Sequence, residues 1–131
     1  MDTALKDNRT FSIKRVARSF KYAFHGLKYA AKSERNFQIH LTTALLVTVC
    51  ASILNINKME WLFIFVSIFG VIALELVNSA LERVVDLATD EIKPLAKQAK
   101  DLAAAAVLMY ALMAAIIGVV ILGPKLLHMI Y

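Results

Sequence analysis

Glu75, Asn78, Glu82 and Asp86 recur at intervals of three and four residues in a stretch that is otherwise largely apolar. At about 100° per residue they fall near 0°, 300°, 340° and 20°, one narrow stripe of a helix. Residues 61–74, immediately before them, carry no charge and read as a helix entering a bilayer. A carboxylate at hydrocarbon depth is costly and marks a functional position by default. Three acids and an amide stacked where a helix leaves the membrane predict a site for a metal and an oxygen-rich substrate. A solvated helix end with ordinary salt bridges would account for Asp86 and for Glu82, but it leaves Glu75 without a reason.

Other charged groups converge on the same level. Glu34 precedes the first apolar run, and Lys100 with Asp101 opens the last. Alone, Glu34 would be an unremarkable surface acid, and Lys100 and Asp101 would read equally as an interfacial anchor beside a capping acid. Together, three helices bringing acids, an amide and an ammonium to one level match metal-assisted phosphoryl transfer. That reaction needs carboxylates to hold Mg²⁺, a cation on the phosphates, and a base or positioner for the attacking hydroxyl.

The chain has no G-x-x-x-x-G-K-[ST], no glycine-rich kinase loop, no H-R-D or D-F-G, and only four glycines. A nucleotide site must therefore be built from side chains on helices. On the first amphipathic segment Arg15, Arg18, Tyr22 and Tyr29 lie within about 60° of one another. That spacing lets an aromatic ring meet a base while guanidinium groups meet phosphate; binding of lipid headgroups is the competing reading. His25 reads as a headgroup contact, His40 as polar packing or headgroup recognition at the start of a span, and His128 has no assigned role. No Cys/His cluster supports a zinc site.

The elements that must position these groups follow from composition. The 131 residues are 60% hydrophobic and 19% charged, with mean hydropathy +0.64. Soluble domains average about 45–50% apolar and about 25% charged, so the fold class is all-α integral membrane, one domain over residues 1–131. Nine of the 15 Lys and Arg lie before residue 36, within a net charge of +5. With no groove-reading or RNA-binding motif beside it, that block predicts an anionic membrane surface and no nucleic acid. Residues 1–10 are expected to fray, and no cleavable secretory leader is read. Residues 11–32 form a basic amphipathic helix expected to lie in the interface plane.

Apolar spans are predicted at 39–56, 61–81 and 102–122, each near the length needed to cross. The first carries Thr42, Thr43, Thr48 and Ser52 and suits a helix packed against neighbours. Cys50, the single cysteine, reads as a small core residue. The loop 83–100 holds Arg83, Lys93, Lys97 and Lys100, whereas the connection 55–60 holds one Lys. The positive-inside bias puts the N-terminus in the cytoplasm and the C-terminus outside. Pro94 is expected to open a helix that runs into the third span, where the small residues 103–106 favour close packing.

At these residues the sequence resembles the prokaryotic diacylglycerol kinase family, and within it the undecaprenol kinase branch of Gram-positive bacteria. The resemblance covers about residues 11–122. Its most specific part is Glu75-x-x-Asn78-Ser-Ala-x-Glu82-x-Val-Val-Asp86, followed by Ala99-Lys100-Asp101 and Ala104-Ala105-Ala106-Val107-Leu108. The resemblance implies a homotrimer of three-span subunits in the bacterial plasma membrane, with ATP and Mg²⁺ at the membrane surface and sites shared between subunits. It implies Glu75 as catalytic base, also touching the lipid, and Glu34 and Glu82 as metal ligands. Arg15, Tyr22, Asn78, Glu91, Lys93, Lys100 and Asp101 join Glu34 and Glu82 around the nucleotide. Lys93 stands where the family commonly has His, and Ala105 replaces a frequent glycine.

The segment running from Ser33 through Glu34, Arg35, Asn36, Phe37, Gln38 and Ile39 to His40 resembles the undecaprenol branch, giving Asn36, Phe37 and His40 as substrate contacts. Members preferring diacylglycerol commonly carry an acid where His40 stands. The reading is an ATP-dependent lipid kinase acting on undecaprenol. The alternatives are a diacylglycerol kinase and, from another class, a noncatalytic membrane assembly or channel subunit using Glu75 and Asn78 as interhelical glue.

Overall fold

The computed structural model describes residues 13–89, 91 and 93–130, and four helices account for nearly all of them. The expected fraying of residues 1–10 lies outside the described residues. The helices are α1 (Ile13–Ser33), α2 (Arg35–Ile53), α3 (Lys58–Ala88) and α4 (Pro94–Ile130). The chain divides into two compact units, the first ending at Ser33 and the second beginning at Glu34.

In the first unit, α1 occupies the segment expected as the surface helix. Its 21 residues leave Ile13, Phe20 and Phe24 exposed.

The second unit holds three helices long and apolar enough to cross a membrane, with hydropathies of 1.4, 2.2 and 2.7 in chain order. Most of their Leu, Ile, Val, Phe and Met side chains are exposed, which fits hydrocarbon rather than water as the surrounding solvent. α3 is the most enclosed, with 33% of its most apolar window buried against 11% in each neighbour. It packs chiefly along α4 and secondarily along α2.

In α2 the four hydroxyls of the first span each donate back to the carbonyl four residues earlier. Thr42, Thr43, Thr48 and Ser52 do so at 2.8, 2.9, 2.7 and 2.8 Å, so the helix satisfies them internally, as a low-dielectric setting requires. The expected span 39–56 overruns the helix. Leu54 and Ile56 are apolar, but Asn55 adopts φ 48°, a left-handed conformation that Asn tolerates better than most residues. Asn57 then opens α3: its side chain accepts from the Glu60 amide at 3.0 Å while Glu60 accepts from the Asn57 amide at 2.7 Å, a reciprocal cap.

Below this turn Ala51, Ile56, Ile64 and Leu122 form the core, with Cys50 packed at its edge as expected. The pair of Lys125 on α4 with Glu60 at 3.3 Å closes the same end. Halfway along, Tyr110 of α4 donates its hydroxyl to the Val66 carbonyl at 3.1 Å, and its ring rests on Gly70.

α3 and α4 outrun the apolar stretches that predicted them. At about 1.5 Å per residue, 31 residues extend about 46 Å, well beyond the ~30 Å of hydrocarbon. The last turns of α3 therefore project past the apolar layer and carry Glu82 and Asp86. Pro94 opens α4 as expected, since its missing N–H costs nothing at a first turn. The helix also continues through Pro124, where one backbone hydrogen bond is lost without ending it.

Candidate active site at the polar end of α3

The stripe predicted on α3 is present, and its members differ in burial. Glu75, Asn78 and the neighbouring Ser79 are buried, at 3%, 4% and 5% exposure. Glu82 is half-buried and Asp86 exposed. Helical spacing stacks them along α3, and the length of the helix carries them from apolar depth out to the surface.

Two elements meet at Glu75, the start of α2 and the polar face of α3. Its electrostatic neighbours are His40, Glu82 and Glu34, so the start of α2 delivers an imidazole and a carboxylate to the face of α3. Glu34 stands between α1 and α2 in extended conformation and makes no side-chain cap. Its carboxylate instead accepts from Arg83 of α3, which also donates to the Ser79 carbonyl at 2.7 Å. Asn78 donates to Glu82 Oε1 at 3.0 Å, while its own Oδ1 is buried with no hydrogen-bond partner. An orphaned buried carbonyl oxygen is expensive. Set between two carboxylates, it is a ready acceptor or cation ligand.

A second group lies farther out. Lys100 of α4 bonds Asp86 of α3 at 2.5 Å, Lys97 bonds Asp101 at 3.0 Å and Lys93 pairs with Glu91 at 3.4 Å. They line a cleft of about 420 Å³ between the end of α3 and the start of α4. The sequence expectation therefore separates into two clusters, one at Glu34, His40, Glu75, Asn78 and Glu82, the other at Glu91, Lys93, Lys100 and Asp101.

The residues expected to contact substrate differ in placement. His40 is half-buried at one end of an apolar groove of about 570 Å³ that runs between α2, α3 and α4 as far as Leu126. Asn36 is exposed, but Phe37 is buried at 3% exposure and offers no open surface. Arg15 and Tyr22 are exposed on α1. Among the described residues no three His, Cys, Asp or Glu side chains gather as a metal cage. Mg²⁺ does not need one, because it keeps several waters and takes one or two carboxylates plus substrate phosphates. Glu34, Glu82 and the unpartnered Asn78 Oδ1 fit that requirement.

Two residues escaped the sequence reading. Arg83 was counted only as a loop cation, yet it ties α3 to Glu34. Lys97, read in the same way as a loop cation, lines one cleft with Lys93 and Lys100.

A membrane-embedded helical bundle with a charged, carboxylate-rich end is the class of protein that fold and site define. Residues 21–122 match the family model described as prokaryotic diacylglycerol kinase. An undecaprenol kinase of Bacillus subtilis (strain 168) is 45% identical over 121 residues, 92% of this chain and 98% of that protein. A diacylglycerol kinase of Synechocystis sp. is 43% identical over 112 residues, covering 85% of this chain and 64% of its own. That of Escherichia coli (strain K12) is 31% identical over 115 residues, 88% and 94% of the two chains. The chain belongs to the prokaryotic diacylglycerol kinase family and is a lipid kinase of the membrane.

Proposed function

We propose that the chain transfers the γ-phosphate of ATP to undecaprenol, at the cytoplasmic face of a bacterial plasma membrane. The observation that carries this substrate is the 45% identity with an undecaprenol kinase across nearly the whole of both chains. The groove supports it: its lining is almost wholly apolar, and at the end near Glu75 its polar side chains are His40 and Thr43, neither of them an acid.

In the reaction the lipid hydroxyl oxygen bonds the γ-phosphorus as the bond to the β–γ bridging oxygen breaks and ADP leaves. Glu75, buried at the meeting of α2 and α3, takes the hydroxyl proton and orients the attacking oxygen. Asn78 holds Glu82 in place through its amide, and Glu34 and Glu82 would hold Mg²⁺, which supplies charge neutralisation across the phosphates when bound. Lys100, Asp101, Lys93 and Glu91 cradle the nucleotide in the outer cleft. Asn36, Phe37 and His40 shape the approach of the lipid, Phe37 from its buried position. Positioning and electrostatics supply most of the acceleration, since phosphoryl transfer leaves little covalent chemistry to the protein.

The extensive apolar surface of α2, α3 and α4, and the small residues at 103–106, suit association into a homotrimer with shared sites. The lysine-rich connection between α3 and α4 suits a cytoplasmic N-terminus and an outer C-terminus.

A second reading, diacylglycerol as acceptor, is favoured by the diacylglycerol kinases of Synechocystis and Escherichia coli among the relatives. Competition of the two lipids at equal mole fraction in mixed micelles separates the readings. Undecaprenol is expected to have the higher kcat/KM by at least about tenfold, the scale of a modest pocket preference. A preference for diacylglycerol would transfer the assignment.

A further inference from the structure

Three ammonium groups and three carboxylates face the cleft between α3 and α4 among its described residues. Lys97 and Lys100 lie about 60° apart around the start of α4, and Lys93, immediately before the helix, faces the same cleft. They stand just before and within the opening turns of a 37-residue helix, whose N-terminal dipole adds to the positive potential. The family resemblance accounts for Lys93 and Lys100 but not for the lysine between them.

We propose that Lys97 is a further nucleotide-binding residue, its ammonium contacting an oxygen of the β- or γ-phosphate between the contacts of Lys93 and Lys100. The inference rests on the reading of this cleft as the nucleotide site. The three ion pairs are not equivalent. Lys100 is 36% exposed and bridges to Asp86 on the other helix, so it also holds α4 against α3. Lys97 is 74% exposed and its partner Asp101 63%, on the same helix four residues away. Such a pair contributes little in high dielectric, whereas a phosphate offers shorter, charge-assisted bonds. Lys97 therefore exchanges Asp101 for a phosphate at small cost. The exchange leaves the Asp101 carboxylate ready to accept hydrogen bonds from ribose hydroxyls.

The test uses the full chain in micelles at saturating lipid alcohol, with Lys97→Gln, Lys97→Arg and, as reference, Lys100→Gln. Lys97→Gln is expected to raise the KM for ATP about tenfold, equivalent to about 1.4 kcal/mol, while lowering kcat less than about threefold. Lys97→Arg is expected to keep KM within about twofold of the parent, because it preserves the charge. Displacement of a fluorescent ATP analogue distinguishes contact from scaffolding: Lys97→Gln should weaken displacement by ATP and leave that by AMP unchanged. Equal weakening of both nucleotides overturns the phosphate contact. If Lys100→Gln loses ATP affinity and Lys97→Gln does not, the role of Lys97 is refuted and the nucleotide reading stands. If neither variant changes ATP affinity, the cleft does not hold nucleotide and both fall.

Discussion

Replacing Gly70 with Ala should loosen the bundle and misplace α4 against α3. A β-carbon at Gly70 would coincide with the ring of Tyr110, whose hydroxyl donates to the Val66 carbonyl at 3.1 Å. The ring end must swing away, and the hydrogen bond goes with it. Interhelical hydrogen bonds in membranes average about 0.6 kcal/mol and reach about 1.7. Repacking around an added methyl typically costs about 1–3 kcal/mol. Against these, Ala gains about 0.5–1 kcal/mol over Gly in a helix interior. The steric and hydrogen-bond terms win, leaving a net loss of about 1–3 kcal/mol. Equilibrium unfolding in mixed micelles measures it directly. Tyr110→Phe isolates the hydrogen bond and should cost no more than about 1.7 kcal/mol. Gly70→Ala placed on Tyr110→Ala should cost almost nothing further, because the ring is already absent. Unfolding of Gly70→Ala at the wild-type midpoint, or additive losses in the double variant, would refute the packing argument. Because α4 also carries Lys100, ten residues before Tyr110, the variant should raise the KM for ATP as well.

Glu75→Gln should leave folding and ATP binding largely intact while cutting turnover by on the order of 100-fold or more, the scale of a lost general base; activity within a few-fold of wild type in a lipid-saturated assay would remove Glu75 from the proton transfer. Glu34→Gln and Glu82→Gln should each raise the Mg²⁺ concentration for half-maximal activity, with partial rescue by excess metal, and unchanged Mg²⁺ titrations in both would take them out of the metal shell. His40→Glu should lower kcat/KM for undecaprenol about tenfold more than for diacylglycerol, by placing a carboxylate at the mouth of the apolar groove. Equal losses with both lipids would make His40 a support of the fold alone.

How much the sequence discloses depends on the range of the interaction. The stripe from Glu75 to Asp86 was legible because helical periodicity alone puts those residues on one face, and its polarity breaks an apolar run. The three crossing helices were legible for the same reason, as continuous hydrophobicity reports the surrounding solvent. Helix ends were less so. The turn at Asn55 interrupts a stretch that still looks apolar through Ile56, and α4 passes through Pro124 because loss of one hydrogen bond does not outweigh the packing of a long helix. Arg83 with Glu34 joins residues 49 positions apart, and Tyr110 on Gly70 joins others 40 apart; no local period encodes such pairings. The burial of Phe37 is equally tertiary, since exposed Asn36 precedes it. Lys97 differs from these. Its place on the face shared with Lys100 was available from spacing, but an i,i+4 lysine beside an acid reads as an ordinary helix-surface pair until the cleft is seen.

Transfer of phosphate from ATP onto undecaprenol is measured most directly by following labelled γ-phosphate with purified protein in bilayers of defined composition. Undecaprenyl phosphate should appear in step with ADP, in a one-to-one ratio, only when undecaprenol and Mg²⁺ are both supplied. ATP consumption indifferent to added lipid alcohol, or label passing to diacylglycerol but not to undecaprenol, would rule out an undecaprenol kinase.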